Sequence, residues 1–279
     1  MKLFKEIPQD RYNDVEWVLN WLKENPKEIG DEDVKPIKYF HCFWITPLTE
    51  LQKITLKSLL DTNPDITIMF WTPDVFKFQT NFYHKRIQYK SLDRNEFYKA
   101  SASPKSLDII YSKYAVHDLG YVSDIVRFVV LNIYGGIWSD LDILFLRDLN
   151  DIKINRYMSQ WGDDMMGNAA ILRLEQGHDL IDKIVNACPH APFYPGFTFK
   201  GKVITPSFLV SNDLDVTMFP STFFDILWRP GHSFEEAFTQ GFELPDNIFC
   251  YHWHNRFNDT PHVNSVLGKA KAKYSTWKS

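Results

Sequence analysis

Apolar residues recur at helical spacing in residues 12–23, where Val15, Val18, Leu19 and Leu22 share one face and Pro26 stops the pattern, so an N-terminal amphipathic helix is predicted. A β-branched and aromatic run, Ile37 to Ile45, reads as a strand; Pro47 precedes a helical pattern through Leu51, Ile54, Leu56, Leu59 and Leu60. Asn63-Pro64 closes that helix, and Ile66 to Trp71 supplies a second apolar strand. Strand, helix and strand at this spacing predict a βαβ opening, and with it a parallel sheet and a right-handed crossover.

Periodicity is weaker over 83–120, which holds the basic His84, Lys85 and Arg86 and a Ser/Pro-containing loop at Ser101 to Pro104. Tyr121 to Tyr134 is a strongly apolar helix, stopped by Gly135-Gly136 because glycine relieves left-handed strain at a helix C-terminus. Ile137 to Leu146 then reads as one buried strand with two carboxylates in its middle. Beyond it, Ala169 to Leu172 predicts a strand, Leu180 to Val185 a helix, and Val203 to Val210 either. The aromatic stretch Met218 to Trp228 is expected to pack on the sheet, and Asn247 to Trp253 reads as a last strand entering a histidine-rich turn. The result is an α/β chain, with residues 1–36 as an N-terminal helical extension and 37–279 as one domain ending in a short basic tail.

With 279 residues, 44% of them hydrophobic and 16% aromatic, the chain has ample material for a packed core, which excludes disordered, collagen-like and coiled-coil classes. A net charge of −4 without a basic block argues against a nucleic-acid partner, since phosphate binding needs clustered positive charge. Cys42, Cys188 and Cys250 are an odd number without a close pair, giving neither a disulfide framework nor a zinc-type spacing, so a reducing compartment is expected. The polar N-terminus and the interruption of the longest apolar run by Arg127 and Asn132 leave no signal peptide or transmembrane segment visible, and a cytoplasmic location follows as an expectation.

The two carboxylates carry the chemistry. Aspartates one residue apart on a strand point to opposite faces, and burying either one ionised and unpaired costs several kcal/mol. Asp140-Leu141-Asp142 therefore reads as a point where the strand frays into a loop and a hard divalent cation, Mg²⁺ or Mn²⁺, neutralises both side chains. Phosphate oxygens and water would fill the remaining positions; the plain alternative is a pair of exposed turn carboxylates. Asp124 and Arg127, spaced i,i+3 on the preceding helix, sit among Ile125, Val126, Phe128, Val129 and Val130. Either they form an ion pair on a solvated face, or a ribose, sugar hydroxyl or diphosphate satisfies them.

Ser123-Asp124-Ile125-Val126-Arg127, followed by Tyr134-Gly135-Gly136-Ile137-Trp138 and Asp140-Leu141-Asp142, resembles the signature of DXD-containing GT-A glycosyltransferases. That group includes capsular-polysaccharide and α-glycosyl transferases and glucosylating toxins. Phe40 to Ile45 resembles the family's first strand, whose Trp-Ile step, here Trp44-Ile45, lies against the nucleotide base. The resemblance covers residues 38–72 and 121–146. It implies a single mixed, mostly parallel sheet flanked by helices, with Asp142 as direct metal ligand and Asp140 contacting the ribose or sugar and a metal-bound water. It further implies that Asp124 and Arg127 hold the donor's sugar and diphosphate and that Trp44 stacks on the base; an ordinary core aromatic is the alternative for Trp44.

Tyr251-His252-Trp253-His254-Asn255 resembles the family's late histidine motif, which implies His252 as the residue completing the metal and diphosphate site. His254 stands where an aromatic is usual, so either histidine is open as the ligand. Asn168-Ala169-Ala170-Ile171 resembles the segment lining the donor sugar, which makes Asn168 a candidate sugar contact, against a simple turn asparagine. Lys271, Lys273, Trp277 and Lys278 offer a lid over the diphosphate, against the default of a frayed terminus. The resemblance thus implies a metal-dependent, retaining glycosyltransferase, as used in polysaccharide biosynthesis, with a UDP- or GDP-linked donor, a glycan or other hydroxyl acceptor, and Mn²⁺ or Mg²⁺ as cofactor. Two rivals are a non-catalytic sugar-nucleotide-binding module and a DXD phosphohydrolase with an aspartate nucleophile, a class that wants a small hydroxyl or valine where Leu144 stands.

Overall fold

A computed structural model describes residues 10–11, 14–25, 33–92, 119–160, 167–178, 216–226, 231–254 and 260–277, with backbone alone at 119–122, 124–125 and 234. The expectations for Ser101 to Pro104, Leu180 to Val185 and Val203 to Val210 fall outside these residues.

Helix α1 (Val15–Glu24) starts where the Asp14 carboxylate accepts from the Trp17 backbone N–H at 3.0 Å. Its apolar face, Val15, Val18, Leu19 and Leu22, joins the same core cluster as Phe40, Ile68 and Phe70 of the sheet, so it packs as part of the main body. Strand β1 (Tyr39–Phe43), helix α2 (Glu50–Thr62) and strand β2 (Thr67–Thr72) form the βαβ unit read from the sequence, with β1 and β2 parallel and in register from Tyr39↔Thr67 to Phe43↔Trp71. A reciprocal capping box between Thr49 and Gln52 starts α2. Helix α3 (Val75–Asn81) leads to strand β3 (Ile87–Ser91), which lies parallel to β2.

Helix α4 (Leu119–Tyr134) ends at Gly135 and Gly136, with φ of 64° and 105°. A Cβ on Gly136 would lie 2.3 Å from the Tyr39 carbonyl oxygen, so only glycine lets strand β4 (Gly136–Ser139) close up in parallel beside β1. Strands β6 (Tyr157–Gln160), β7 (Gly167–Leu174) and β8 (Thr217–Phe219) complete a seven-stranded sheet of order β3-β2-β1-β4-β7-β6-β8, in which β4/β7 and β6/β7 are the antiparallel pairs. It is the mixed, mostly parallel sheet that the motifs imply. Phe219, Phe223 and Phe224 pack on Tyr157 at ring-centroid distances of 5.5 Å and 5.9 Å or on one another, as expected for the aromatic stretch.

One expectation needs correction. Ile137 to Leu146 is not one strand: β4 stops at Ser139, and strand β5 (Ile143–Phe145) pairs antiparallel with strand β9 (Cys250–His252) in a separate two-stranded sheet. The backbone bonds show where the chain changes sheets. The Asp140 N–H still donates to the Ala170 carbonyl of β7 at 3.0 Å, whereas the Asp142 carbonyl accepts from Trp253 beyond β9 at 3.0 Å. The Leu141 carbonyl between them is satisfied by the Thr55 hydroxyl of α2 at 2.9 Å.

Within the basic C-terminal stretch, residues Val266–Ser275 form helix α5, which buries Val266, Leu267, Ala270 and Tyr274. It docks on α2: Lys273 pairs with Asp61 at 2.7 Å, and Lys57 donates to the Tyr274 carbonyl at 2.9 Å. Lys273, a lid candidate from sequence, is thus engaged with α2. Among the described residues, no helix is long and apolar enough to cross a membrane.

Candidate active site

The break between β4 and β5 puts the two aspartates at the C-terminal end of the parallel strands, the end at which open α/β sheets bind ligands. Trp44 follows β1 at the same end. Asp140 is held from behind: Trp138, two residues earlier on the same face of β4, donates its indole N–H to Oδ1 at 2.7 Å, and Arg127 of α4 reaches the same oxygen at 3.3 Å. The Arg127 guanidinium also lies 5.2 Å from the Trp138 ring centroid, so an apolar helix carries its buried charge on an indole face and a carboxylate.

Asp142 meets His252, brought in by the small sheet through the Ile143↔His252 pair. His252 Nε2 lies 3.1 Å from Asp142 Oδ1. One ligand atom each from Asp140, Asp142 and His252 lie within 4.8 Å of one another, a cluster that one cation could bridge. His254 turns elsewhere. Its backbone has a φ of 59°, its ring stacks on His252 at 3.7 Å, and its Nε2 lies 2.8 Å from Asp225 Oδ1. Of the two histidines left open by the sequence, His252 is the one placed beside the aspartates.

Sequence reasoning missed Asp225, which is 1% exposed and follows the aromatic turn after β8. Its Oδ2 faces His252 Nδ1 at 3.2 Å and accepts from the Asn168 side-chain amide at 3.1 Å. The available signal was a single carboxylate inside Phe223-Phe224-Asp225-Ile226, the same local conflict that singles out Asp140 and Asp142.

The electrostatics divide the two aspartates. Burial pushes the Asp140 carboxyl up, and Arg127 only partly offsets it. Burial acts on Asp142 in the same sense, but the neighbouring His252 outweighs it and the carboxyl lies below its ordinary value. Burial disfavours charge on His252 too, yet Asp142 and Asp225 on either side hold its pKa well above the usual imidazole value. Burial, and then the charge on His252, pushes His254 down.

The remaining sequence candidates fall as follows. Trp44 is half-buried, extends the edge of β1 through its N–H to the Trp71 carbonyl at 3.1 Å, and has no hydrogen-bond partner for its indole N–H among the described residues. Ile45 beside it is half-buried. Asp124 lies on α4 one turn before Arg127, with its side chain outside the described residues. Asn168 is buried and engaged, since its Oδ1 accepts from the Ala170 N–H at 2.9 Å while its amide holds Asp225. A groove of about 670 Å³ at the other end of β1 and β4, lined by residues including Lys35, Tyr39, Tyr134 and Gln176, is on the side of the sheet away from this chemistry.

Known proteins resemble the chain over part of its length. A family described as "Glycosyltransferase sugar-binding region containing DXD motif" matches residues 49–159, which include α2, α4 and both aspartates. No curated protein sequence matches the chain. Among solved structures, the PaToxG glycosyltransferase superposes with a TM-score of 0.52 at 15% identity, over 72% of this chain and 75% of that one, which shows a common fold. The galactosyltransferase LgtC in complex with donor and acceptor sugar analogs aligns at 11% identity over 86% of this chain and 98% of that one, TM-score 0.48. The UDP-bound glycosyltransferase domain from the YGT toxin aligns at 12% identity over 56% of this chain, TM-score 0.41, and the chain spans 62% of that domain's length. Residues 49–159 thus match the DXD-containing sugar-binding region of glycosyltransferases, and the chain shares the GT-A fold.

Proposed function

We propose that the chain is a metal-dependent, retaining glycosyltransferase that moves a hexosyl or pentosyl group from a UDP- or GDP-linked donor to a hydroxyl acceptor such as a glycan. The observation that carries this reading is the convergence of Asp140, Asp142 and His252 within 4.8 Å, where β4 leaves the sheet. Two carboxylates and one imidazole suit a hard divalent cation such as Mn²⁺ or Mg²⁺, whose other positions phosphate oxygens and water would fill. A cation held there supplies positive charge opposite the departing nucleoside diphosphate.

The chain's own residues do the rest. Asp142 and His252 would hold the cation directly, His252 through Nε2, which lies 3.1 Å from Asp142 Oδ1. Asp140, fixed by Trp138 and Arg127, faces the ribose or sugar hydroxyls and the water around the cation. Arg127 and Asp124 hold the diphosphate and sugar, Trp44 with Ile45 receives the base, and Asn168 keeps one amide N–H for a sugar hydroxyl. If the acceptor hydroxyl attacks on the face the diphosphate leaves and passes its proton to the departing phosphate, configuration is retained and no side-chain base is required. The unpaired, buried thiols of Cys42 and Cys250 support a reducing compartment, the cytoplasm. The test is donor hydrolysis and transfer with Mn²⁺ for the parent and Asp142→Asn; loss of about three orders of magnitude in the variant is expected, and full activity contradicts the reading.

A further inference from the structure

Asp225 lies behind His252, on the side away from Asp142. It is 1% exposed, and each of its contacts belongs to a different segment: Asn168 at the start of β7, His252 in β9 and His254 in the turn after it. A carboxylate only accepts hydrogen bonds, so a proton on His252 Nδ1 is required for the 3.2 Å contact with Asp225 Oδ2. Nε2 faces the Asp142 carboxylate in the same way at 3.1 Å, so when a cation takes the place of the Nε2 proton, the proton that remains is the one on Nδ1, held by Asp225. The second oxygen of the same carboxylate fixes His254 at 2.8 Å, which holds that ring flat on His252 at 3.7 Å and closes off one face of the imidazole.

We propose that Asp225 is the positioning residue of the cation site: it sets the tautomer and ring orientation of His252, and Asn168 holds Asp225 in place. This rests on the metal-dependent reading above and deepens it. Partners of this kind, behind a ligating imidazole, raise its basicity and fix its direction, and their loss typically weakens metal binding by about 10- to 100-fold. Asp225 joins His252 of the small β5/β9 sheet, and His254 after it, to Asn168 of β7. Without Asp225, His252 could rotate about its side-chain bonds or present Nδ1 instead.

The arrangement of contacts distinguishes two substitutions. Oδ2 accepts from both Asn168 and His252, whereas Oδ1 meets, among the described residues, His254. In Asp225→Asn the amide oxygen can stay at the Oδ2 position and the NH₂ can face His254 Nε2, which accepts in its other tautomer. Asp225→Ala removes both.

Calorimetric Mn²⁺ titration of the parent, Asp225→Asn, Asp225→Ala and Asn168→Ala, without donor, with melting curves for each, tests this. The expected result is Mn²⁺ affinity within about threefold of the parent for Asp225→Asn, a loss of about 10- to 100-fold for Asp225→Ala and a smaller loss for Asn168→Ala. Saturating Mn²⁺ should then restore most of the turnover of Asp225→Ala. Should Asp225→Ala not fold, the contrast between Asp225→Asn and Asn168→Ala decides: equal affinity in those two and the parent overturns the proposal. Parent-like Mn²⁺ affinity in a folded Asp225→Ala overturns the positioning role alone, and a parent that binds no Mn²⁺ overturns both this role and the metal-dependent reading.

Discussion

The indole N–H of Trp138 donates to Asp140 Oδ1 at 2.7 Å, so the first aspartate of the DXD is aimed by the strand that carries it. Residues i and i+2 of a strand share a face, and here the strand's end places acceptor and donor side by side. Trp138→Phe keeps an aromatic ring near Arg127 but deletes the donor. Hydrogen bonds to charged groups contribute about 1.5–3 kcal/mol, so kcat/KM for the donor, measured well below the melting temperature that the smaller buried ring lowers, should fall by about 10- to 100-fold. Unchanged kinetics would mean that Asp140 needs no such orientation.

Much of this fold was legible because its period and punctuation agree. Ile66 to Trp71, bounded by Asn63-Pro64, became β2 almost residue for residue, and Gly135-Gly136 marked the stop of α4. The break at Asp140 was not legible as a change of sheet, because apolar residues on either side of the DXD look the same whether they pair with β7 or with β9. Asp225 was missed for a similar reason: its partners lie 27, 29 and 57 residues away in sequence, and no local pattern joins them. The C-terminal lysines dominated the reading of the last residues. The helical spacing of Val266, Ala270 and Tyr274 was present but interrupted by Gly268, where a Cβ would lie 1.9 Å from the His262 carbonyl oxygen.

His41 gives the fold a pH dependence of its own. Its Nδ1 accepts from the Trp71 indole at 3.1 Å and its Nε2 faces the Gly135 carbonyl at 2.9 Å, so both nitrogens are used by the neutral ring. Burial pushes its pKa down from 6.5 to about 4, against the smaller opposing effect of the Gly135 carbonyl. Between those values the unfolded chain binds the extra proton, so the stability contribution is complete above 6.5 and is lost progressively as the pH falls towards 4, a total of about 3 kcal/mol. Chemical denaturation of the parent and His41→Gln across this range should show a shallower pH dependence in the variant; parallel curves would remove His41 from the explanation.

Gly136 lets β4 approach β1 closely. Gly136→Ala adds a Cβ 2.3 Å from the Tyr39 carbonyl oxygen at a φ of 105°, a contact and a conformation that alanine does not accept. A loss of at least about 3 kcal/mol is expected from strain and displacement of β4 from β1. Urea unfolding, or recovery of soluble protein, measures it. A variant as stable as the parent would show that β4 can shift away from Tyr39 at little cost.

The central claim is that the carboxylates of the DXD and the imidazole of His252 bind a nucleoside diphosphate through a shared cation. Isothermal titration of UDP and GDP into the protein, with Mn²⁺ and with EDTA, and in parent and Asp142→Asn, measures that linkage directly. One of the two nucleotides should bind the parent only when Mn²⁺ is present, and a folded Asp142→Asn should bind neither. Nucleotide affinity that is the same with EDTA as with Mn²⁺, and the same in Asp142→Asn as in the parent, would contradict it.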